Sequence, residues 1–209
     1  MSDLAPRLRR YLVTDARAGS VERLVETCRA ALDGGVTAIQ LRAKGWTDRQ
    51  LLDAALALGP LCRDASALFI VNDRIDIALA AGADGIHLGV EDLPVAVARR
   101  LLGPDAVIGY SPESDADREA AEAAGVDYLG VGPVYGTGTK LDAGEAIGLD
   151  GLRRAVSATR LPVIGIGGIA IDQAADVVST GAVGVALVGA VFLSDDPAAS
   201  ARRLREVLP

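Results

Sequence analysis

Two cationic side chains, Arg42 and Lys44, end the segment QLRAK at residues 40–44, directly after a short apolar run. The chain contains 21 lysine and arginine residues, and the only lysines among them are Lys44 and Lys140. Lysine is a compact charge that suits phosphate, and arginine pairs with phosphate oxygens through its planar set of donors. Arg42 and Lys44 alone would be expected in surface ion pairs, so an anion site requires further polar groups at the same place.

Polar residues also end several other apolar runs. Asn72 and Asp73 end the run LFIVND, Asp92 follows the run GIHLG, and Ser111 ends the run VIGYS. Two carboxylates, together with waters and substrate oxygens, are the usual means by which a protein holds Mg²⁺. Later runs are followed by hydroxyl groups, a lysine and glycine-rich turns, which expose backbone N–H groups to an anion. These later candidates are Thr137, Thr139, Lys140, Gly168, Val188 and Gly189.

Several of these polar residues have a structural alternative. Asp73 and Asp92 could instead cap the helices that follow them. His87 is the only histidine and lies inside the run GIHLG, so we expect it to be packed or to support a neighbouring group. Cys28 and Cys62 lie in helical stretches and are expected as two buried thiols. The sequence indicates no Ser–His–Asp or Cys–His set.

Eight β-rich runs alternate with helical stretches, and several of the helices end at glycine. Uninterrupted apolar runs are typical of parallel strands that are covered on both faces. The order predicts a single α/β domain over residues 1–209, a compact (β/α)8 TIM barrel. An open doubly wound sheet is the alternative, but its Gly-x-Gly-x-x-Gly fingerprint is missing after the first run. The predicted strands are residues 11–15, 38–42, 68–73, 85–89, 107–111, 128–132, 163–168 and 184–189.

Composition and charge argue against nucleic-acid-binding, secreted and membrane-spanning proteins. The formal net charge of −7 argues against a nucleic-acid surface, which needs basic patches. The first residues lack the apolar core of a signal peptide. The uncharged run at residues 177–194 is interrupted by glycines, which favours a helix end, a turn and a strand over a membrane span. We therefore expect a cytoplasmic protein that acts on small molecules, with neither nucleic acid nor membrane as a partner.

A TIM barrel carries its chemistry at the C-terminal ends of its strands, which is where the polar candidates are predicted to lie. Cations, carboxylates, hydroxyls and glycine-rich turns fit phosphate binding and metal-assisted departure of a phosphate group. Arg42, Lys44, Lys140 and a metal on Asp73 and Asp92 would form one anion site. The loops after strands seven and eight, a common phosphate site of such barrels, would form a second.

The segments QLRAK, VNDRIDIALAAGADGIHLGVEDLP, VGPVYGTGTK and PVIGIGGI resemble those of the thiamine-phosphate synthase family in order and spacing. The resemblance implies a transferase that joins 4-amino-2-methyl-5-pyrimidinylmethyl diphosphate to thiazole phosphate and releases pyrophosphate. It implies that Asp73 and Asp92 bind Mg²⁺. It assigns the pyrimidine diphosphate to Gln40, Arg42, Lys44, Asn72, Ser111 and Lys140, of which Arg42, Lys44, Ser111 and Lys140 are the catalytic candidates. It assigns the thiazole phosphate to Thr137, Thr139, Gly168, Val188 and Gly189.

The resemblance further implies a dissociative mechanism, in which pyrophosphate leaves before the thiazole nitrogen attacks. The chain departs from the family pattern at two places. Pro112 and Glu113 stand where the family commonly has a small residue and a histidine, and Glu113 would repel a diphosphate unless it is turned away. Gly189 stands where the family usually has serine. A thiazole tautomerase-like relative, a Schiff-base aldolase and a non-catalytic thiazole-phosphate-binding protein are alternatives, and a homo-oligomer is left open.

Overall fold

Eight parallel strands form a closed barrel in the computed structural model, which describes residues 4–136 and 144–209. The strands pair in chain order and the last pairs with the first, so the sheet has no free edge. They are β1 (Arg10–Val13), β2 (Ala38–Leu41), β3 (Leu68–Asn72), β4 (Gly85–Gly89), β5 (Val107–Ser111), β6 (Tyr128–Val131), β7 (Val163–Ile166) and β8 (Gly184–Leu187).

Helices follow the strands and cover the outside of the barrel, and one short helix precedes the first strand. They are α1 (Leu4–Arg7), α2 (Val21–Asp33), α3 (Asp48–Asp64), α4 (Ile75–Ala81), α5 (Val95–Leu102), α6 (Asp115–Ala123), α7 (Gly148–Ser157), α8 (Ala174–Ser179), α9 (Gly189–Phe192) and α10 (Pro197–Val207). Short 3-10 turns lie at Ala16–Ala18 and Ile171–Gln173. None of the helices that the structure describes is both long enough and apolar enough to cross a membrane.

Strand residues face the barrel axis and the surrounding helices alternately, as the two-residue period of a strand requires. The side chains inside the barrel form a buried cluster that includes Tyr11, Ala38, Leu68 and Tyr128. The intervening residues, such as Leu12, pack with the helices in a second cluster. The sheet is therefore covered on both faces, which explains why its strands appear in the sequence as uninterrupted apolar runs.

Side-chain caps fix the start of the helices that follow the site-bearing strands. Thr47 caps α3 in a capping box with Gln50, so the loop after β2 ends at a defined residue. Ser114 caps α6 by accepting a hydrogen bond from Asp117 N at 3.1 Å, which does the same for the loop after β5. These caps keep both loops short and hold them at one rim of the barrel.

The predicted (β/α)8 barrel is confirmed, and the open-sheet alternative is wrong because β8 pairs with β1. Several strands end one or two residues earlier than predicted. At the end of β8 the predicted strand 184–189 is wrong, since helix α9 begins at Gly189. Val188 has left the extended region there, with φ −113° and ψ −79°. A domain extent of 1–209 stays a prediction, because residues 1–3 and 137–143 lie outside the described part.

Candidate active site

The C-terminal ends of β2, β3 and β5 bring predicted site residues to one rim of the barrel. Arg42 directly follows β2, and Asn72 and Ser111 are the last residues of β3 and β5. Gln40 lies on β2 and is buried, and Asn72 is in register with His87 of β4. Because the strands are parallel, all of these residues lie at the same end of the barrel.

The backbone of Arg42 is held by a buried threonine. Arg42 N donates to Thr14 Oγ1 at 2.8 Å, and Thr14 Oγ1 donates to the Arg42 carbonyl at 2.9 Å. Thr14 directly follows β1 and is 0% exposed. Arg42 itself is partly exposed and Lys44 is exposed, so the rim presents two cationic residues that a ligand can reach.

Asp15 adds a carboxylate beside Arg42. Arg17 Nε donates to Asp15 Oδ1 at 2.8 Å, and this hydrogen bond lowers the pKa of Asp15, with the charge of Arg42 acting in the same direction. Sequence reasoning missed both Thr14 and Asp15. The available signal was the run YLVTD, which ends in two polar residues just as the run that contains Asn72 and Asp73 does.

Neither of the two predicted metal ligands caps a helix. Asp73 has a left-handed backbone with φ 60°, a conformation that is uncommon outside glycine but in which asparagine and aspartate are enriched. Its N–H donates to the carbonyl of His87 at 3.0 Å. Helix α4 begins at Ile75, and no side chain in the described residues caps it. Asp92 Oδ2 instead accepts from Gly89 N at 2.7 Å. The capping alternative is therefore wrong for both aspartates.

The carboxylates of Asp73 and Asp92 lie together with the two cations of the β2 loop. Burial raises the pKa of Asp73 to about 6, hydrogen bonding with Asp92 and the charge of Asp92 act in the same direction, and the charges of Lys44 and Arg42 act against them. Within residues 4–136 and 144–209 no group of three or more His, Cys, Asp or Glu side chains is arranged to hold a metal ion. A carboxylate pair is nevertheless the donor set that suits Mg²⁺, which keeps several waters and takes further oxygens from substrate phosphates.

The loop after β6 is held against the end of β7. Tyr135 N donates to the Gly167 carbonyl at 3.0 Å. Gly168 has φ +67°, and a Cβ at this position would lie 2.4 Å from the carbonyl oxygen of Gly136. Only glycine permits this backbone conformation and this close approach together. Three predicted site residues follow Gly136 directly and lie outside the described residues: Thr137, Thr139 and Lys140.

Both departures from the family pattern lie at open positions. Val188 immediately precedes α9, and a Cβ on Gly189 would meet no atom within 4 Å. Glu113 is exposed, and its charge contributes, after burial and Asp117, to raising the pKa of Tyr110. Tyr110 packs against the outer core cluster, on the face of β5 opposite Ser111. Glu113 is therefore exposed to solvent and within electrostatic reach of a side chain on the outer face of β5.

Polar side chains cross the barrel interior in one hydrogen-bonded chain, called here the interior network. Gln40 Nε2 donates to Tyr11 Oη at 2.9 Å, and Tyr11 Oη lies 2.9 Å from Tyr128 Oη. Tyr128 Oη lies 3.0 Å from His87 Nδ1, and His87 Nε2 lies 2.8 Å from Ser111 Oγ. The network connects two predicted substrate ligands, Gln40 and Ser111, through three residues that the sequence did not assign to the substrate.

His87 is packed, as expected from its place inside a strand, and it is 7% exposed. Burial lowers the pKa of His87 to about 4, with the charge of Asp92 opposing the change, so the imidazole is neutral near pH 7. Cys28 and Cys62 are buried free thiols, also as expected, and burial raises the pKa of Cys62 to about 12. Neither thiol is ionised near neutral pH, so neither has the reactivity of a thiolate nucleophile.

The family model for thiamine monophosphate synthase matches residues 10–191 of the chain. The chain belongs to the thiamine monophosphate synthase family. It is 51% identical over 198 residues to thiamine-phosphate synthase of Moorella thermoacetica, covering 95% of this chain and 94% of that relative. It is 50% identical over 195 residues to the enzyme of the same name from Laribacter hongkongensis, covering 93% and 92% of the two chains.

The fold of this family member matches a solved structure over nearly its whole length. Thiamine phosphate pyrophosphorylase from Pyrococcus furiosus superposes with a TM-score of 0.90 at 41% identity, covering 99% of this chain and 98% of that one. The family predicted from the four sequence segments is thereby confirmed. The roles of individual residues stay predictions and are taken up below.

Proposed function

We propose that the chain catalyses the reaction of its family, in which 4-amino-2-methyl-5-pyrimidinylmethyl diphosphate and thiazole phosphate give thiamine phosphate and pyrophosphate. The observation that carries this proposal is the meeting of cations and carboxylates at one rim of the barrel, in a chain whose family match spans residues 10–191. Arg42 and Lys44 lie within electrostatic reach of Asp73 there, and Asp73 is in turn paired with Asp92. That combination suits a diphosphate and a divalent metal ion better than it suits a neutral ligand.

The diphosphate would bind against the loop after β2. Arg42 is suited to bind phosphate oxygens because Thr14 holds both its backbone N–H and its carbonyl. Lys44 and Lys140 would add compact point charges, and Asn72 and Ser111 would donate neutral hydrogen bonds from the ends of β3 and β5. In a protein of net charge −7, such local cations are needed to attract an anionic substrate.

Asp73 and Asp92 would hold Mg²⁺. The pKa of Asp73 is raised by burial and by the neighbouring Asp92, which means that two ionised carboxylates are unfavourable at this place. A bound cation would relieve both effects. When bound, the ion supplies positive charge to diphosphate oxygens that become more negative as the carbon–oxygen bond breaks. Arg42 and Lys44 would act on oxygens of the same diphosphate.

The thiazole phosphate would bind between the loops after β6, β7 and β8. Gly168 lies where the loops after β6 and β7 meet, and the Val188–Gly189 turn begins α9 at the end of β8. Backbone N–H groups of such turns suit an anion, and this is the common phosphate position in TIM barrels. Thr137 and Thr139 would supply hydroxyl groups from the loop that continues beyond Gly136.

The side chains at the rim favour a dissociative reaction. Within the described residues, His87 is bonded on both ring nitrogens and the two thiols are buried, so none of these three groups is placed to attack carbon. Pyrophosphate would therefore leave first, and the thiazole nitrogen would capture the pyrimidine-methyl cation. Catalysis then consists of stabilising the leaving group and holding both substrates in line. We place this activity in the cytoplasm.

The decisive experiment mixes both substrates with the purified protein and measures pyrophosphate and thiamine phosphate, with Mg²⁺ and with EDTA. With Mg²⁺, pyrophosphate and thiamine phosphate should form in equal amounts. With EDTA, neither product should form. Arg42→Ala should lower the rate at least about 100-fold, in the range found for removal of one charge-stabilising group. Arg154→Ala is the matched control, because Arg154 is exposed on α7. Absence of thiamine phosphate with the unaltered protein would overturn the proposal.

A further inference from the structure

The interior network has only one arrangement of protons that satisfies every member as the structure orients them. Gln40 Nε2 can only donate, so the Tyr11 oxygen accepts from it. The proton of Tyr11 then has one acceptor within the described residues, the oxygen of Tyr128. Tyr128 in turn donates to His87 Nδ1. Each tyrosine thus accepts from one side and donates to the other.

The same order continues to the rim. A neutral imidazole that accepts at Nδ1 carries its proton on Nε2, so His87 donates to Ser111 Oγ. The hydroxyl proton of Ser111 is left for a partner outside the network. At the other end, Gln40 Oε1 accepts no hydrogen bond from the described residues, while Nε2 of the same amide is committed to Tyr11. With the Gln40 amide oriented as it is, the reverse order would leave the buried Tyr11 proton without an acceptor among the described residues, which is unfavourable in a dry interior. Turning the amide would reverse every donor along the network, so the orientation of Gln40 and the direction of the network are fixed together.

We propose that Tyr11, Tyr128 and His87 are positioning residues that order the protons of the site, presenting Ser111 to the substrate as a hydrogen-bond donor and Gln40 as an acceptor. This inference rests on the proposed function, since it concerns the contacts to the pyrimidine diphosphate. Ser111 would donate to an acceptor atom of that substrate. The carbonyl oxygen of Gln40 would accept from its donor, and the exocyclic amino group is the donor that an aminopyrimidine offers.

The strands around the network leave space for it. A Cβ at Gly109 would lie 2.1 Å from Tyr128 Cζ and 2.5 Å from His87 Nδ1. A Cβ at Gly130 would lie 3.1 Å from His87 Cε1 and 3.3 Å from Ser111 Oγ. Glycine on β5 and β6 therefore keeps the two rings and the serine hydroxyl at hydrogen-bonding distance.

The test uses Tyr11→Phe, which removes one oxygen and frees the Gln40 amide to turn and present its N–H groups. The probes are the aminopyrimidine diphosphate and its 4-oxo analogue, which offers an acceptor where the substrate has a donor. With the unaltered protein, kcat/KM should favour the amino compound strongly. In Tyr11→Phe that preference should fall at least about tenfold, in line with a mispaired polar group in a binding site. The KM for thiazole phosphate should change less than about twofold.

Four further variants complete the test. Tyr128→Phe interrupts the network one step further on and should also lower kcat/KM for the pyrimidine diphosphate about tenfold. His87→Gln, which retains a donor towards Ser111, should preserve more of kcat/KM than His87→Leu, which has none. Tyr110→Phe is the control, because Tyr110 lies on the outer face of β5 and outside the network, and it should leave the preference unchanged.

The outcomes separate the inference from the proposed function. If the unaltered protein forms thiamine phosphate while Tyr11→Phe and Tyr128→Phe both keep its preference for the amino compound, the positioning role is wrong and the function stands. If the preference falls equally in Tyr110→Phe, the effect is not specific to the network, and the inference is likewise wrong. If the unaltered protein forms no product, the proposed function itself fails.

Discussion

Thr14 and Arg42 bind one another twice, since Arg42 N donates to Thr14 Oγ1 at 2.8 Å and Thr14 Oγ1 donates to the Arg42 carbonyl at 2.9 Å. The hydroxyl of Thr14 thus hydrogen-bonds both the N–H and the carbonyl of Arg42, and Thr14 is completely buried. The pair connects the end of β1 to the loop after β2. Thr14 therefore fixes the backbone position from which the Arg42 side chain extends.

Thr14→Val should lower kcat/KM for the pyrimidine diphosphate about tenfold. Valine keeps the shape of threonine but removes both hydrogen bonds, each contributing about 0.5–1.5 kcal/mol. Steady-state kinetics with saturating thiazole phosphate provides the measurement. Thr180→Val is the matched control, because Thr180 is also buried and donates to a backbone carbonyl, that of Val177, at the far end of the barrel. Equal losses in the two variants would show that only general stability had changed.

Asp73→Asn should reduce turnover at limiting Mg²⁺ by at least about 100-fold, because it removes one of two carboxylates from the proposed metal site. Asparagine is the appropriate replacement, since it tolerates the left-handed backbone at φ 60° that alanine would strain. Initial rates across a Mg²⁺ titration provide the measurement. Activity equal to that of the unaltered protein at every concentration of Mg²⁺ would remove Asp73 from the metal site.

The same variant should be more stable than the unaltered protein at pH 8 without metal. The folded-state pKa of Asp73 is raised from 3.8 to about 6, so the folded protein loses stability as pH rises from about 4 through 6. The asparagine side chain would not ionise, and the gain at pH 8 should be about 1–2 kcal/mol, allowing for the partial exposure of the side chain. Urea unfolding in EDTA at pH 4 and pH 8 measures it. A difference of the same size at both values would contradict the assigned cause.

Gly189→Ser should lower KM for thiazole phosphate about fivefold, which corresponds to one hydrogen bond of about 1 kcal/mol. A Cβ at Gly189 meets no atom within 4 Å, and the backbone there is not left-handed, so serine fits without strain. The added hydroxyl would lie beside the proposed phosphate position. Ala120→Ser on the exposed face of α6 serves as control. An unchanged or raised KM in Gly189→Ser alone would place the thiazole phosphate elsewhere.

The barrel and the rim could be predicted because both follow from local patterns. Apolar runs mark the strands, glycines mark the helix ends, and polar residues at strand ends meet wherever parallel strands share a rim. The start of α9 at Gly189 was harder to predict, because the segment VALVGAVF is apolar throughout and carries no signal for the change from strand to helix. Asp73 was similarly ambiguous, since no residue type around it signals its left-handed backbone. In the fold, Asp73 N donates to the His87 carbonyl and Arg74 N donates to the Asn72 carbonyl.

The interior network was not predicted, although His87 was expected to be packed or to support a neighbouring group. Tyr11 and Tyr128 are 117 residues apart and touch only because the barrel closes, which brings β1 and β6 across its axis. Each tyrosine taken alone would be expected as a core aromatic residue. The glycines of VIGYS and YLGVG were a usable signal, because a small residue on the inner face of a strand indicates that another side chain fills the space.

In the proposed mechanism, pyrophosphate leaves before the new carbon–nitrogen bond forms. Single-turnover rates for substituted pyrimidine diphosphates test this order of events most directly. Positive charge would develop on the pyrimidine methylene, so electron-withdrawing substituents should slow the step steeply, tenfold for each increase of about 1.4 kcal/mol in the barrier. The measurement is made at saturating thiazole phosphate, with chemistry shown to limit the rate. A steep decline across the series is expected, and a flat series would mean that the thiazole nitrogen displaces pyrophosphate in one step.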